Sequence, residues 1–230
     1  MRLRWITKSV AVAALVGVPL TANAETIDFR GSGLNAAVSI SVRNAAGSLV
    51  TNSVAAGELN WAWLNGTPEG FESQFFSYCV DALNALRDPQ TVVVDTTENL
   101  ALSNGNRPAS TDAGDKVAWL FNTYAGVVHA SGSGAAAAGL QVAIWEALYD
   151  SSSFSLTGGN FRLNNNSLVG AQATTFLTSL YSSNYSGSSA SWLNTSYGQD
   201  QITHGVPEPA TLMLVGLGAL LATRGRRKQC

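Results

Sequence analysis

The sequence predicts an α+β protein, with an N-terminal β-rich part of sandwich or barrel type followed by a helical subdomain. Three observations predict it. In separate stretches between positions 27 and 80 apolar residues recur at every second place, the period of half-buried strands, and a β-branched run follows at 91–95. Beyond Pro108 they recur at three and four places, the period of helices. The two patterns are segregated along the chain, strands first and helices later, and do not alternate as parallel α/β units do.

The first strand pattern covers residues 27–42, with Val38, Ile40 and Val42 on one face. Leu59, Trp61 and Trp63 alternate in the second. Phe76, Tyr78 and Val80 alternate in the third, so Cys79 points away from Tyr78, on the side of Phe75 and Ser77. Residues 91–95 form a short β-branched run.

Ser110, Thr111 and Asp112 are candidate caps for a first helix in which Val117, Leu120, Phe121 and Tyr124 share a face. Residues 129–134 read as a flexible connection, and 135–149 as a second helix with Leu140, Ala143, Ile144, Ala147 and Leu148 on one stripe. Gln141 lies on the side of Trp145 and Leu148. Residues 168–181 form a third helix, and 182–191 a serine-rich loop with little capacity for a core.

Both ends read as processing signals. Arg2, Arg4 and Lys8 precede an apolar stretch at 9–20, and Ala22-Asn23-Ala24 offers the small residues a signal peptidase requires, which places cleavage after Ala24. At the other end Pro207-Glu208-Pro209 is followed by an apolar run at 210–222 and then by Arg224, Arg226, Arg227 and Lys228. The prolines keep the preceding segment extended. The run is short against the ~20 residues of a full span, and the basic cluster favours the cytoplasmic side. In this order the features resemble the PEP-CTERM sorting signal. That resemblance implies export, a transient membrane anchor through the C-terminal hydrophobic helix, an exosortase-type processing partner, and a final place on the cell envelope, the outer surface or in an extracellular matrix. The expected organisation is a signal peptide at 1–24, one exported domain at 25–205 and a sorting tail at 206–230.

Between these signals lie six basic and fourteen acidic side chains, a net charge of −8 over about 180 residues. Such a domain does not seek nucleic acid through phosphate contacts. No HExxH segment, CxxC pair, acidic calcium loop or phosphate-binding glycine loop occurs, so neither metal nor cofactor is expected. Of the two cysteines, Cys230 lies beyond the tail helix, which leaves Cys79 alone in an oxidising compartment.

Phe76-Ser77-Tyr78-Cys79-Val80-Asp81 is followed by Lys116-Val117-Ala118-Trp119-Leu120-Phe121-Asn122 and then by Leu140-Gln141-Val142-Ala143-Ile144-Trp145-Glu146, with Asp150 shortly after. In order and content these segments resemble the thioester domains of bacterial surface adhesins, over roughly residues 71–150. One departure is Leu140, where that family commonly has threonine before the glutamine. The resemblance implies an internal bond between the Cys79 sulfur and the Gln141 side-chain carbonyl, 62 residues apart. It further implies covalent capture of an amine or hydroxyl on a partner, used once and without turnover. Phe75, Tyr78, Trp119 and Trp145 are candidates for a shield against water. Asp81 is a candidate for orienting the backbone, and His129 for general base. Two other functions fit the composition: a non-covalent matrix- or glycan-binding domain with Cys79 in its core, and a cysteine hydrolase using Cys79 and His129.

Overall fold

A computed structural model describes residues 24–100, 110–150, 154–165 and 167–204. The signal peptide, residues 101–109 and the sorting tail with its apolar run lie outside the described residues. No helix among the described residues is long and apolar enough to cross a membrane.

The described residues form seven strands and three α-helices, with a 3-10 turn at Thr97–Asn99. The strands are β1 (Ala24–Arg43), β2 (Leu49–Trp63), β3 (Gln74–Cys79), β4 (Gln90–Thr96), β5 (Phe161–Leu163), β6 (Ser191–Asn194) and β7 (Gln201–Thr203). The helices are α1 (Ala113–Ser131), α2 (Gly134–Tyr149) and α3 (Ser167–Tyr181). Every strand pairing is antiparallel, and the ladder β1–β2–β3–β7–β6–β4 returns to β1, so six strands close into a barrel. The seventh, β5, lies outside the ring against the far end of β1.

Closure requires the two long strands to change direction. The β1–β2 register shifts between Phe29 and Gly31 and again between Ser32 and Asn35, as β-bulges do where a sheet bends. Opposite the second shift stands Gly57 with φ +138°, where a Cβ would run into the Leu34 carbonyl oxygen. The N-terminal part of β1 and the C-terminal part of β2 belong to the barrel. The remainder, residues 35–43 with 49–57, continues as a ribbon flanked by β5 and packed on α2.

The barrel interior is aromatic, with Ile27, Trp61, Trp63, Phe75, Val92 and Leu193 in one cluster. A polar chain crosses it: the Trp61 indole donates to Ser77 Oγ (2.9 Å), whose hydroxyl donates to Gln201 Oε1 (2.9 Å). A second, larger core joins the outer barrel face to the helices through Tyr78, Trp192 and Ile202.

Several expectations are refined. The barrel is not confined to the N-terminal part, because β6 and β7, beyond the helices, are needed to close it. The helices share a continuous core with the sheet and do not form a separate subdomain. Residues 129–134 are not a flexible connection: α1 runs through His129 to Ser131, ends on Gly132 at φ +67°, and α2 starts at Gly134 under a Ser133 cap. Nor is α2 striped. It lies between α1, α3, β1 and β2, and every residue from Ala137 to Tyr149 is buried.

Candidate functional site at the end of strand β3

The end of β3, the ribbon of β2 and the middle of α2 meet at a cavity of about 340 Å³, lined among others by Gly57, Leu59, Cys79, Asn84, Gln141 and Trp145. Cys79 is 3% and Gln141 1% exposed. The two are 62 residues apart in the chain and hydrogen-bonded to each other in space. The Cys79 backbone N–H donates to Gln141 Oε1 at 2.9 Å, and Gln141 Nε2 donates to the Cys79 carbonyl at 2.6 Å. Burial of so polar a side chain in the middle of an apolar helix is compensated by this reciprocal pair.

The sulfur sits in the turn that follows. Cys79 Sγ donates to the Asp81 carbonyl (2.9 Å) and lies 3.2 Å from the Asp81 N–H. Burial pushes the thiol well up from its ordinary range; the Asp81 charge adds to this and the Asp81 N–H opposes it. The Asp81 carboxylate builds the turn itself, accepting from the Leu83 and Asn84 N–H groups and from the Asn84 side chain. The Asp81 side chain thus fixes the turn at 81–84, next to the sulfur.

Of the four candidate shielding residues, Trp145 alone lines this cavity. Gln141 and Trp145, four apart on α2, face it together. Phe75 stacks on Trp63 inside the barrel (5.0 Å between centroids), and Trp119 meets Tyr124 edge to face (5.8 Å). Tyr78 lies on the other face of β3, as strand alternation requires, and its hydroxyl donates to Glu58 Oε1 at 3.4 Å. Burial, and then the Glu58 charge, raises the phenol.

His129 belongs to a different place. Its Nδ1 lies 3.1 Å from Glu58 Oε2, and its ring stacks on Phe76 at 4.6 Å. It lines a second cavity of about 810 Å³ with Arg30, Glu72, Phe71, Phe76 and His204. The two cavities share no lining residue. The pairing of His129 with Cys79 is therefore corrected: the direction of α1 carries the imidazole to Glu58. Glu58 itself, 1% exposed, had no sequence signal beyond being a charge within an apolar strand. Asp150 is structural, accepting from the Asn160 and Phe161 N–H groups to hold the start of β5.

At the other end of the chain the comparison is decisive. Residues 205–228 match the PEP-CTERM protein-sorting motif. The match takes in Pro207, Glu208 and Pro209, the apolar run and the basic end. It starts directly after His204, next to the last barrel strand. A PEP-CTERM tail marks an exported, cell-surface protein with an exosortase as its processing partner. The match covers the tail alone and says nothing of the chemistry in residues 24–204. No curated protein and no solved structure matches the chain.

Proposed function

We propose that the exported domain forms an internal thioester between Cys79 and Gln141 and uses it once to capture a nucleophile on a partner surface, in the manner of an adhesin. The observation that carries this reading is the reciprocal hydrogen bonding of the Gln141 carboxamide with the Cys79 main chain in a buried cavity wall.

That arrangement suits the chemistry. For the bond to form, the sulfur leaves the Asp81 carbonyl and attacks Gln141 Cδ while its proton passes to the departing nitrogen. The Cys79 N–H, already on Oε1, is the donor that stabilises the oxygen of the tetrahedral intermediate. Holding the two groups together supplies an effective molarity that can offset ~7–11 kcal/mol of barrier. Ammonia departs, leaving an activated acyl group. The buried walls, Trp145 among them, slow hydrolysis.

Non-covalent matrix or glycan binding is the second reading, favoured by the larger cavity at His129 with its Phe71 and Phe76 rings. A Cys79–His129 hydrolase draws no support, since nothing brings the two side chains into one cavity.

The deciding experiment is the intact mass of mature protein recovered from the envelope, with peptide mapping after methylamine treatment. The expected result is a mass one ammonia below that of the sequence, with methylamine added at Gln141 and a thiol regained at Cys79. Full sequence mass, with no adduct and a Cys79→Ala variant that binds its surface equally well, overturns the covalent reading in favour of the non-covalent one.

A further inference from the structure

Building on the thioester reading, we infer that the cavity at Cys79 selects a neutral carbohydrate hydroxyl over a lysine ammonium as the nucleophile that opens the bond. The lining carries the argument. The amide residues Asn52 on β2, Asn84 and Gln199 stand in the lining, with Leu59 and Trp145 as its apolar part; Asn52 shares the core-facing side of β2 with Val54, which strand alternation denies to Ser53. No Lys, Arg, His, Asp or Glu stands among the described residues that line it.

Two buried carboxylates lie nearby without opening into this space. Both Asp81 and Asp200 are fully buried. The oxygens of Asp81 are taken up by the turn at 83–84, and Oδ1 of Asp200 accepts the Thr195 N–H. The charged side chains Arg30 and Glu72 line the other cavity instead.

A lysine entering here sheds the water around its ammonium with no carboxylate in the lining to replace it, and that step is costly. A sugar hydroxyl enters neutral and avoids it. Amides both donate and accept, as neighbouring sugar hydroxyls require, and the apolar patches suit the C–H face of the ring. The volume, about 340 Å³, is at the small end of ligand pockets and fits one sugar residue at the end of a chain.

In the transfer the sugar oxygen bonds to Gln141 Cδ, the Cδ–Sγ bond breaks, and the hydroxyl proton passes to the sulfur. The products are a sugar ester of Gln141 and the free Cys79 thiol. The burial that favours the protonated sulfur makes it a suitable final acceptor for that proton.

The test exposes mature protein to equal concentrations of hydroxylamine, a neutral oligosaccharide and a lysine-containing peptide in separate reactions, each followed by intact mass and mapping. Hydroxylamine reports the bond itself. The expected result is a hydroxylamine adduct at Gln141, with the oligosaccharide adduct forming at least about tenfold faster than the lysine adduct, a difference of 1.4 kcal/mol in barrier. The sugar adduct is cleaved by mild alkali, as an ester is and an amide is not. Asn52→Asp, which places a carboxylate in the lining, is expected to narrow the preference. A hydroxylamine adduct accompanied by equal or faster lysine coupling overturns the hydroxyl preference and leaves the thioester standing. Absence of any hydroxylamine adduct overturns the thioester, and the preference with it.

Discussion

Gln141 and Cys79 satisfy each other completely at the main chain: one carboxamide oxygen accepts from the Cys79 N–H, and one carboxamide nitrogen donates to the Cys79 carbonyl. The pairing fixes α2 to the end of β3 and reads the amide in one orientation only. Gln141→Glu keeps the acceptor but sets a carboxylate oxygen against the Cys79 carbonyl. The expected cost is about 3 kcal/mol at neutral pH, for a buried polar group left facing its like. It should shrink in acid, where the protonated carboxyl can donate again. Urea denaturation at two pH values measures both effects, and equal stability of the two proteins at neutral pH would contradict the pairing.

Ser77 is the middle of the Trp61–Ser77–Gln201 relay inside the barrel. Ser77→Ala removes an acceptor from the indole and a donor from the amide, in a space where neither finds water. A loss of about 1–3 kcal/mol is expected. Thermal unfolding, together with a change in the tryptophan emission of the barrel interior, measures it.

Glu146 on α2 is fully buried, accepts the Ser155 N–H at 2.6 Å through Oε1, and has no partner at Oε2 among the described residues. Burial pushes its pKa up from 4.5 to about 7, with the Asp150 charge adding to the rise and the Ser155 N–H opposing it. The native state therefore holds this proton more tightly than the unfolded chain does. The resulting stabilisation is fully present below pH 4.5 and is lost as the pH rises through about 7, to a total of about 3 kcal/mol. Glu146→Gln keeps the Oε1 acceptor and removes the titration. It is expected to flatten the stability profile between pH 5 and pH 8, measured by urea midpoints across that range.

Much of the site was legible in the chain, and the reasons are local. Cys79 and Gln141 stand within ordered segments of unusual content, and the alternation of β3 correctly set Cys79 against Tyr78. The places of the three helices were also readable, but not their caps: Asp112 at the start of α1 makes no capping side-chain bond, and the Ser133 cap of α2 read as loop. Barrel closure was not. The ribbon part of β2 contains Asn52, Ala55 and Gly57, residues of low strand propensity that are held there by pairing with β1. Strands β5, β6 and β7 have three, four and three residues, too few for any period to show. His129 was misplaced because glycine and serine after it read as a loop, whereas Gly132 and Ser133 are the end of one helix and the cap of the next.

The short strand β7 has one further bearing on the life of the protein. It is the last element before the sorting motif, and its first residue, Gln201, pairs with Cys79 itself. A chain that crosses a membrane from its N-terminus delivers this piece near the very end. Until then β3 and β6 have no neighbour on one edge, and the strand that presents the thiol is unsupported. Closure of the barrel is thereby tied to the completion of export: the Cys79 end of β3 gains its last strand partner only when the residues just ahead of the sorting motif arrive.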